Sequence, residues 1–144
     1  MRAERGAARG YSDGVLPTAF IDALAGHEEL IVTSREDRIE RSIRAWYVLA
    51  TPDAIYLFTY SFALRVARWR KDPWVRLRVP DGGPSMEGQV TFVRPEEIDD
   101  RLIESVIERW WMWGATTPEG LRRMLRDGSH VLLRVTFPSP SGEA

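Results

Sequence analysis

Apolar residues along this chain recur at two periods, and each period marks a different kind of element. Six segments alternate apolar and polar positions as strands do: Leu30–Ser34, Glu40–Leu49, Ile55–Thr59, Trp74–Val79, Met86–Val93 and His130–Phe137. Four others repeat at helical spacing. Pro17–Ala25 packs through Phe20, Ile21 and Leu24, with Gly26 as its stop. A short basic helix follows Ser61 and ends at the Asp72-Pro73 pair, because the residue before a proline avoids the α region. Pro95 opens the longest helix, with Ile98, Leu102, Val106 and Trp110 as its core stripe, widened by Ile103 and Ile107. The last helix starts at Thr117-Pro118, holds Leu121, Met124 and Leu125, and ends at Gly128.

The connections carry turn signals. Arg35–Arg38 is a charged hairpin turn, and the runs Thr51–Ala54 and Pro80–Pro84 are turns by composition. Gly88, inside a strand, predicts a bulge or a close backbone approach. Residues 1–14 mix arginine and glycine with little that is apolar, which predicts a flexible arm, and 139–144 form a tail. The span 15–138 reads as one domain, without an internal repeat.

Two stretches depart from plain amphipathic patterning. In the long strand, Ile43, Ala45, Tyr47 and Leu49 share one face, and Ser42, Arg44, Trp46 and Val48 share the other. A face of serine, arginine and tryptophan suits a planar ligand or a subunit interface, or else a half-exposed tryptophan beside a solvated arginine. In the basic helix, Phe62, Val66 and Trp69 fall on one side, and Ser61, Arg65 and Arg68 on another. Ser61 is placed to cap the helix. A helix start with a hydroxyl, free N–H groups and two arginines suits an anion such as phosphate, and an ordinary solvated basic face fits the same spacing.

Composition narrows the chemistry. The 144 residues are 44% hydrophobic and 28% charged with a formal net charge of −1, enough for a continuous core and too little charge to attract nucleic acid or an acidic membrane. From Ser61 to Val79, six basic residues face one acid, Asp72, so the positive charge is local. There is no cysteine, which removes disulfides, thiolate nucleophiles and cysteine metal ligands and is in keeping with a cytoplasmic protein. His27 sits in a turn as a surface residue, and His130 opens a strand as a structural one. The acids from Glu96 to Glu108 read as a solvated helical face rather than a metal site. Without a phosphate loop or a nucleophile-plus-base set, an enzyme of this composition takes its chemistry from a cofactor.

The runs Leu30–Arg35, Arg41–Val48, Ile55–Thr59, Arg65–Pro73 and Met86–Gly88 stand in an order and spacing that resembles the pyridoxamine 5′-phosphate oxidase-like superfamily, the FMN-binding split barrels. The resemblance covers roughly residues 16 to 137. It implies an α+β fold, a six-stranded antiparallel split β-barrel with flanking helices, and a homodimer with a cofactor in the cleft between subunits. It implies FMN or a 5-deazaflavin coenzyme, and an oxidoreductase that passes hydride to a small organic substrate. A non-catalytic flavin- or haem-binding protein on the same barrel is the alternative. Carried over by position, Ser42, Ile43, Arg44 and Trp46 would lie along the ring, and Thr59, Tyr60, Ser61, Arg65 and Arg68 would hold the phosphate end. No residue is implied as an acid or base, and no metal.

Overall fold

The computed structural model of the chain describes residues 16–51, 54–110 and 117–137. The expected arm and tail, together with Trp111 and Trp113, lie outside the described residues, as does the side chain of Trp110. Six strands form a closed barrel: β1 (Glu29–Glu36), β2 (Ile39–Thr51), β3 (Ala54–Tyr60), β4 (Trp74–Arg78), β5 (Ser85–Phe92) and β6 (His130–Thr136). Around the barrel the order is β1-β2-β3-β6-β5-β4, every neighbouring pair is antiparallel, and β4 returns to β1. The helices are α1 (Thr18–Leu24), α2 (Leu64–Lys71), α3 (Asp100–Trp110) and α4 (Pro118–Arg126). The expected architecture is therefore the one observed.

Strand alternation fills the barrel with Leu30, Val32, Ile55, Leu57, Val75, Leu77, Leu133 and Val135, all buried. Phe20 and Leu24 of α1, and Val66 and Trp69 of α2, join the same cluster. Tyr47 ties α1 to the barrel by donating from its hydroxyl to the carbonyls of Leu24 and His27, at 3.1 and 2.9 Å. A second cluster lies outside the sheet, where Val48 and Leu132 are covered by Leu102, Ile103 and Val106 of α3 and by Leu121 and Leu125 of α4. Val48 is thus core, although it shares its strand face with Arg44.

Three expectations are corrected. The β1–β2 turn is narrower than Arg35–Arg38. Asp37 and Arg38 alone form it, with φ of 51° and 71°, the two-residue geometry whose twist matches antiparallel strands. Pro95 does not open the long helix. It opens one 3₁₀ turn, Pro95–Glu97, and α3 begins only at Asp100, where the Asp99 carboxylate accepts from the Leu102 N–H at 2.8 Å and starts a new helix. Trp74 alternates with the inward-facing Val75 and Leu77, a position where exposure is expected of a strand residue, but it is only 8% exposed. The guanidiniums of Arg35 and Arg76 cover its ring at 4.5 and 5.2 Å, and its Nε1 donates to Glu87 at 3.1 Å. Among the described residues, no helix is long and apolar enough to cross a membrane.

Gly88 marks a close approach of backbone to backbone. A Cβ there would collide with the carbonyl oxygen of Thr136 and lie 3.1 Å from the Phe137 ring. Gly88→Ala is therefore expected to destabilise the fold by about 1–3 kcal/mol, the usual cost of overpacking, read as a lower urea midpoint. An unchanged midpoint would show that β5 and β6 have room to part.

Candidate functional site

The site begins with a division of labour along β2. Its first part pairs with β1, as far as Trp46 opposite Glu29. Its second part pairs with β3, starting at Tyr47 opposite Leu57. Before that point β2 and β3 part. Continuing their register sets Trp46, Ala45 and Arg44 against Phe58, Thr59 and Tyr60, and these six residues line a cavity of about 190 Å³ between the strands. Arg65 and Trp69 of α2, Val106 of α3, Met124 of α4 and His130 of β6 supply further wall.

The turn between β3 and α2 fixes where the basic helix starts. Ser61 donates its N–H to the Ser129 carbonyl at 3.0 Å, and its hydroxyl donates to the carbonyls of Gly128 and Ser129. Its side chain is committed to the turn before β6, so it does not cap the helix as expected. The cap position is Ala63, which makes no side-chain cap bond, and the helix begins two residues later than Ser61 predicts. Phe62 consequently lies outside α2 and is exposed, whereas Val66 and Trp69 are buried as expected.

Two arginines then reach back from α2 to hydroxyls of the barrel. Arg65 Nη2 donates to Thr59 Oγ1 at 2.7 Å, and Arg68 Nε donates to Ser34 Oγ at 2.9 Å. Thr59 and Ser34 are both buried. A hydroxyl satisfies a donor without neutralising its charge. Neither guanidinium has a carboxylate partner among the described residues, whereas Arg35, Lys71 and Arg76 pair with Asp72, Glu36 and Glu40. Burial first, and the Arg68 charge second, hold Arg65 below the usual arginine range. Arginine does not lose its proton, so an anion placed beside it would offset that cost.

Trp69 adds a second unmet demand. Its indole Nε1 is buried with no hydrogen-bond acceptor among the described residues, and its side chain is part of the cavity wall. A buried donor left unmade costs about 1–3 kcal/mol. Arg65, Trp69 and the aromatic walls of Trp46, Phe58 and Tyr60 therefore fit a planar ligand that carries an anionic group. Among the described residues no cluster of histidine, aspartate and glutamate could hold a metal ion.

Of the nine residues expected at the site, Arg44, Trp46, Thr59, Tyr60 and Arg65 line the cavity. The other four do not. The Ser42 hydroxyl lies 2.8 Å from Thr33 Oγ1, Ile43 packs against the barrel core, Ser61 holds the turn, and Arg68 rests on Ser34. Arg44 also pairs with Glu29 at 3.2 Å. Phe58, Trp69 and His130 were not expected. Trp69 stands four residues after Arg65 and could have been found by that spacing; His130 could not, because only the β3–β6 register sets it opposite Tyr60.

Comparison with solved structures decides the fold. A candidate pyridoxamine 5′-phosphate oxidase from Listeria innocua superposes with a TM-score of 0.57 at 16% identity, over 81% of this chain and 88% of that one. The fold is that of the pyridoxamine 5′-phosphate oxidase-like split barrels. An FAD-binding protein from Mesorhizobium loti matches with a TM-score of 0.56 at 13% identity, over 82% of this chain and 84% of its own. The haem storage protein HutZ of Vibrio cholerae matches with a TM-score of 0.57 at 11% identity, over 87% and 91%. No protein-family model and no curated protein matches the chain.

Crowded, uncompensated cations cost stability when nothing is bound. Arg65→Met is expected to raise the stability of the ligand-free protein by about 0.5–1 kcal/mol, measured by thermal or urea unfolding. A clear loss of stability would mean that the Arg65–Thr59 bond outweighs the repulsion from Arg68.

Proposed function

We propose that the chain is an oxidoreductase that holds FMN, or a 5-deazaflavin coenzyme, in the fork between β2 and β3 and acts on a small organic substrate. The observation that carries this reading is the pair Arg65 and Arg68, pinned by Thr59 and Ser34 and lacking a counter-ion among the described residues, beside the unpartnered indole N–H of Trp69. Arg65 would meet the phosphate, with Arg68 adding charge from behind. Trp46, Phe58 and Tyr60 would contact the ring, and Arg44 at the open end would face the substrate side. A bound flavin supplies the hydride transfer. The residues of this chain bind it, orient it and limit the access of water.

The size of the cavity supports a second copy of the chain. At about 190 Å³ it falls short of the roughly 300–1,000 Å³ typical of small-molecule sites, so one protomer would enclose only part of a flavin. Tyr60 in its wall, and Phe62 and Leu64 just after it in the chain, are 51%, 79% and 77% exposed, and the Tyr60 and Phe62 rings stack at 5.2 Å. Such a patch favours burial against a partner, and two-fold pairing covers it with one surface. In a homodimer the second subunit would close the cavity. A non-catalytic flavin or haem carrier on the same barrel is the second reading. It is favoured by the scarcity of acid–base groups in the wall, where Tyr60 and His130 are the titratable residues besides the arginines.

Charge-assisted hydrogen bonds are worth about 1.5–3 kcal/mol, so Arg65→Ala is expected to weaken FMN binding by about ten- to a hundredfold, read by fluorescence quenching. Equal affinity in the two proteins would remove the phosphate site. Light scattering at micromolar protein is expected to give about twice the chain mass of 16.5 kDa. A monomer that still binds FMN tightly would contradict the shared cavity.

A further inference from the structure

His130 brings to the cavity a polar atom that the phosphate site leaves unused. It opens β6 opposite Tyr60, and its ring stacks on Phe58 with centroids 5.1 Å apart and 14° between the planes. The Tyr60 ring lies 4.6 Å away on a tilt. His130 is half-buried and forms part of the cavity wall.

Its two ring nitrogens have different fates. Nδ1 lies 2.9 Å from Ser129 Oγ, and the same hydroxyl donates to the Met124 carbonyl at 3.3 Å. A carbonyl can only accept, and a hydroxyl has one proton to give. Assigning that proton to Met124 makes the Ser129 oxygen the acceptor of Nδ1–H, one of the two tautomers the contact allows. This tautomer leaves Nε2 with a bare lone pair, an acceptor. Burial lowers the pKa of His130 from its ordinary 6.5, against the opposing pull of Asp127. The charged and titratable groups around it are Asp127 in the turn, Arg123 on α4, Arg65 on α2, Arg44 on β2 and Tyr60 on β3, while α3 contributes only Val106. Burial outweighs the pull of Asp127 and favours the neutral imidazole.

We propose that His130 Nε2 accepts a hydrogen bond from the ring N–H of the planar heterocycle held in the cavity, which makes His130 a determinant of ligand specificity. The proposal rests on the flavin-type reading above and adds which polar edge of the ring is recognised. Stacking on Phe58 sets the imidazole nearly parallel to that wall, so its lone pair lies in the plane that a heterocycle stacked on the same wall would share. An in-plane ring N–H meets that lone pair, whereas an N-methylated ring would leave a buried acceptor unmade.

The test uses the full chain with riboflavin and its N3-methyl analogue, neither of which carries the phosphate whose own titration would confuse a pH series. At about pH 8 the wild type is expected to prefer riboflavin by about tenfold, the worth of one such bond. Protonation turns Nε2 into a donor, so the preference is held above the titration of His130 and lost as the pH falls through it, toward about pH 5. His130→Phe is expected to abolish the preference at both pH values, and His130→Gln, whose amide oxygen still accepts, to keep it at both. A preference that survives in His130→Phe, or one absent from the wild type, would overturn the proposal while FMN binding dependent on Arg65 leaves the phosphate site standing. A wild-type protein that binds neither FMN nor riboflavin would overturn the flavin reading and this proposal together.

Discussion

Strand β2 is held on one edge by β1 and on the other by β3, and the two ladders meet end to end rather than overlapping. The last β1 pair is Trp46 with Glu29, and the first β3 pair is Tyr47 with Leu57. The sheet has to bend at that junction, and the bend opens the fork in which Arg44–Trp46 face Phe58–Tyr60. Most features of the candidate site follow from this one constraint. Had β2 and β3 stayed paired along their full length, Ala45 and Thr59 would meet across a closed ladder. Arg65 would then have no cavity to enter.

The helices make the fork specific. Turn 61–63 is bound to the Gly128 and Ser129 carbonyls, which fixes the direction in which α2 leaves the barrel. From there Arg65 and Arg68 reach hydroxyls on two different strands, Thr59 of β3 and Ser34 of β1. Both hydroxyls sit where the alternation of an all-apolar interior would place a valine or leucine. Polar atoms at such positions are tolerated because the arginines satisfy them, and the arginines are thereby held as a charge pair. On the far side α3 and α4 cover Val48 and Leu132, so the outer face of the same sheet is dry near the fork.

Much of the fold was legible in the residues. Alternation located all six strands, and the short basic helix ending at Asp72-Pro73 stands where its signals placed it. Local signals misplaced two helix starts. Ser61 looks like a cap, but its hydroxyl meets carbonyls brought near by β6, and Pro95 looks like a first helical residue, but Asp99 is the better cap four positions on. Trp74 alternates outward from Val75 and Leu77, and the Arg35 guanidinium that covers it from β1 leaves no mark in its own strand. Within the site, Arg44, Trp46, Thr59, Tyr60 and Arg65 could be named in advance, by strand face, by helix spacing and by likeness to the split barrels. Trp69 was assigned to the core, where it does pack, and only the structure shows its indole nitrogen unpartnered. His130 depends on the pairing of strands far apart in sequence, which periodicity cannot supply.

The central claim is that the fork is a ligand site with Arg65 and the Trp69 ring in its wall. The most direct measurement is the ¹H–¹⁵N signal of the tryptophan indoles as FMN is added, with Trp69 and Trp74 assigned through Trp69→Phe and Trp74→Phe. The account predicts a large shift of the Trp69 indole signal as an aromatic ligand fills the cavity beside it, while Trp74, bonded to Glu87 outside the cavity wall, stays in place. Saturating flavin binding that leaves Trp69 unmoved would contradict it.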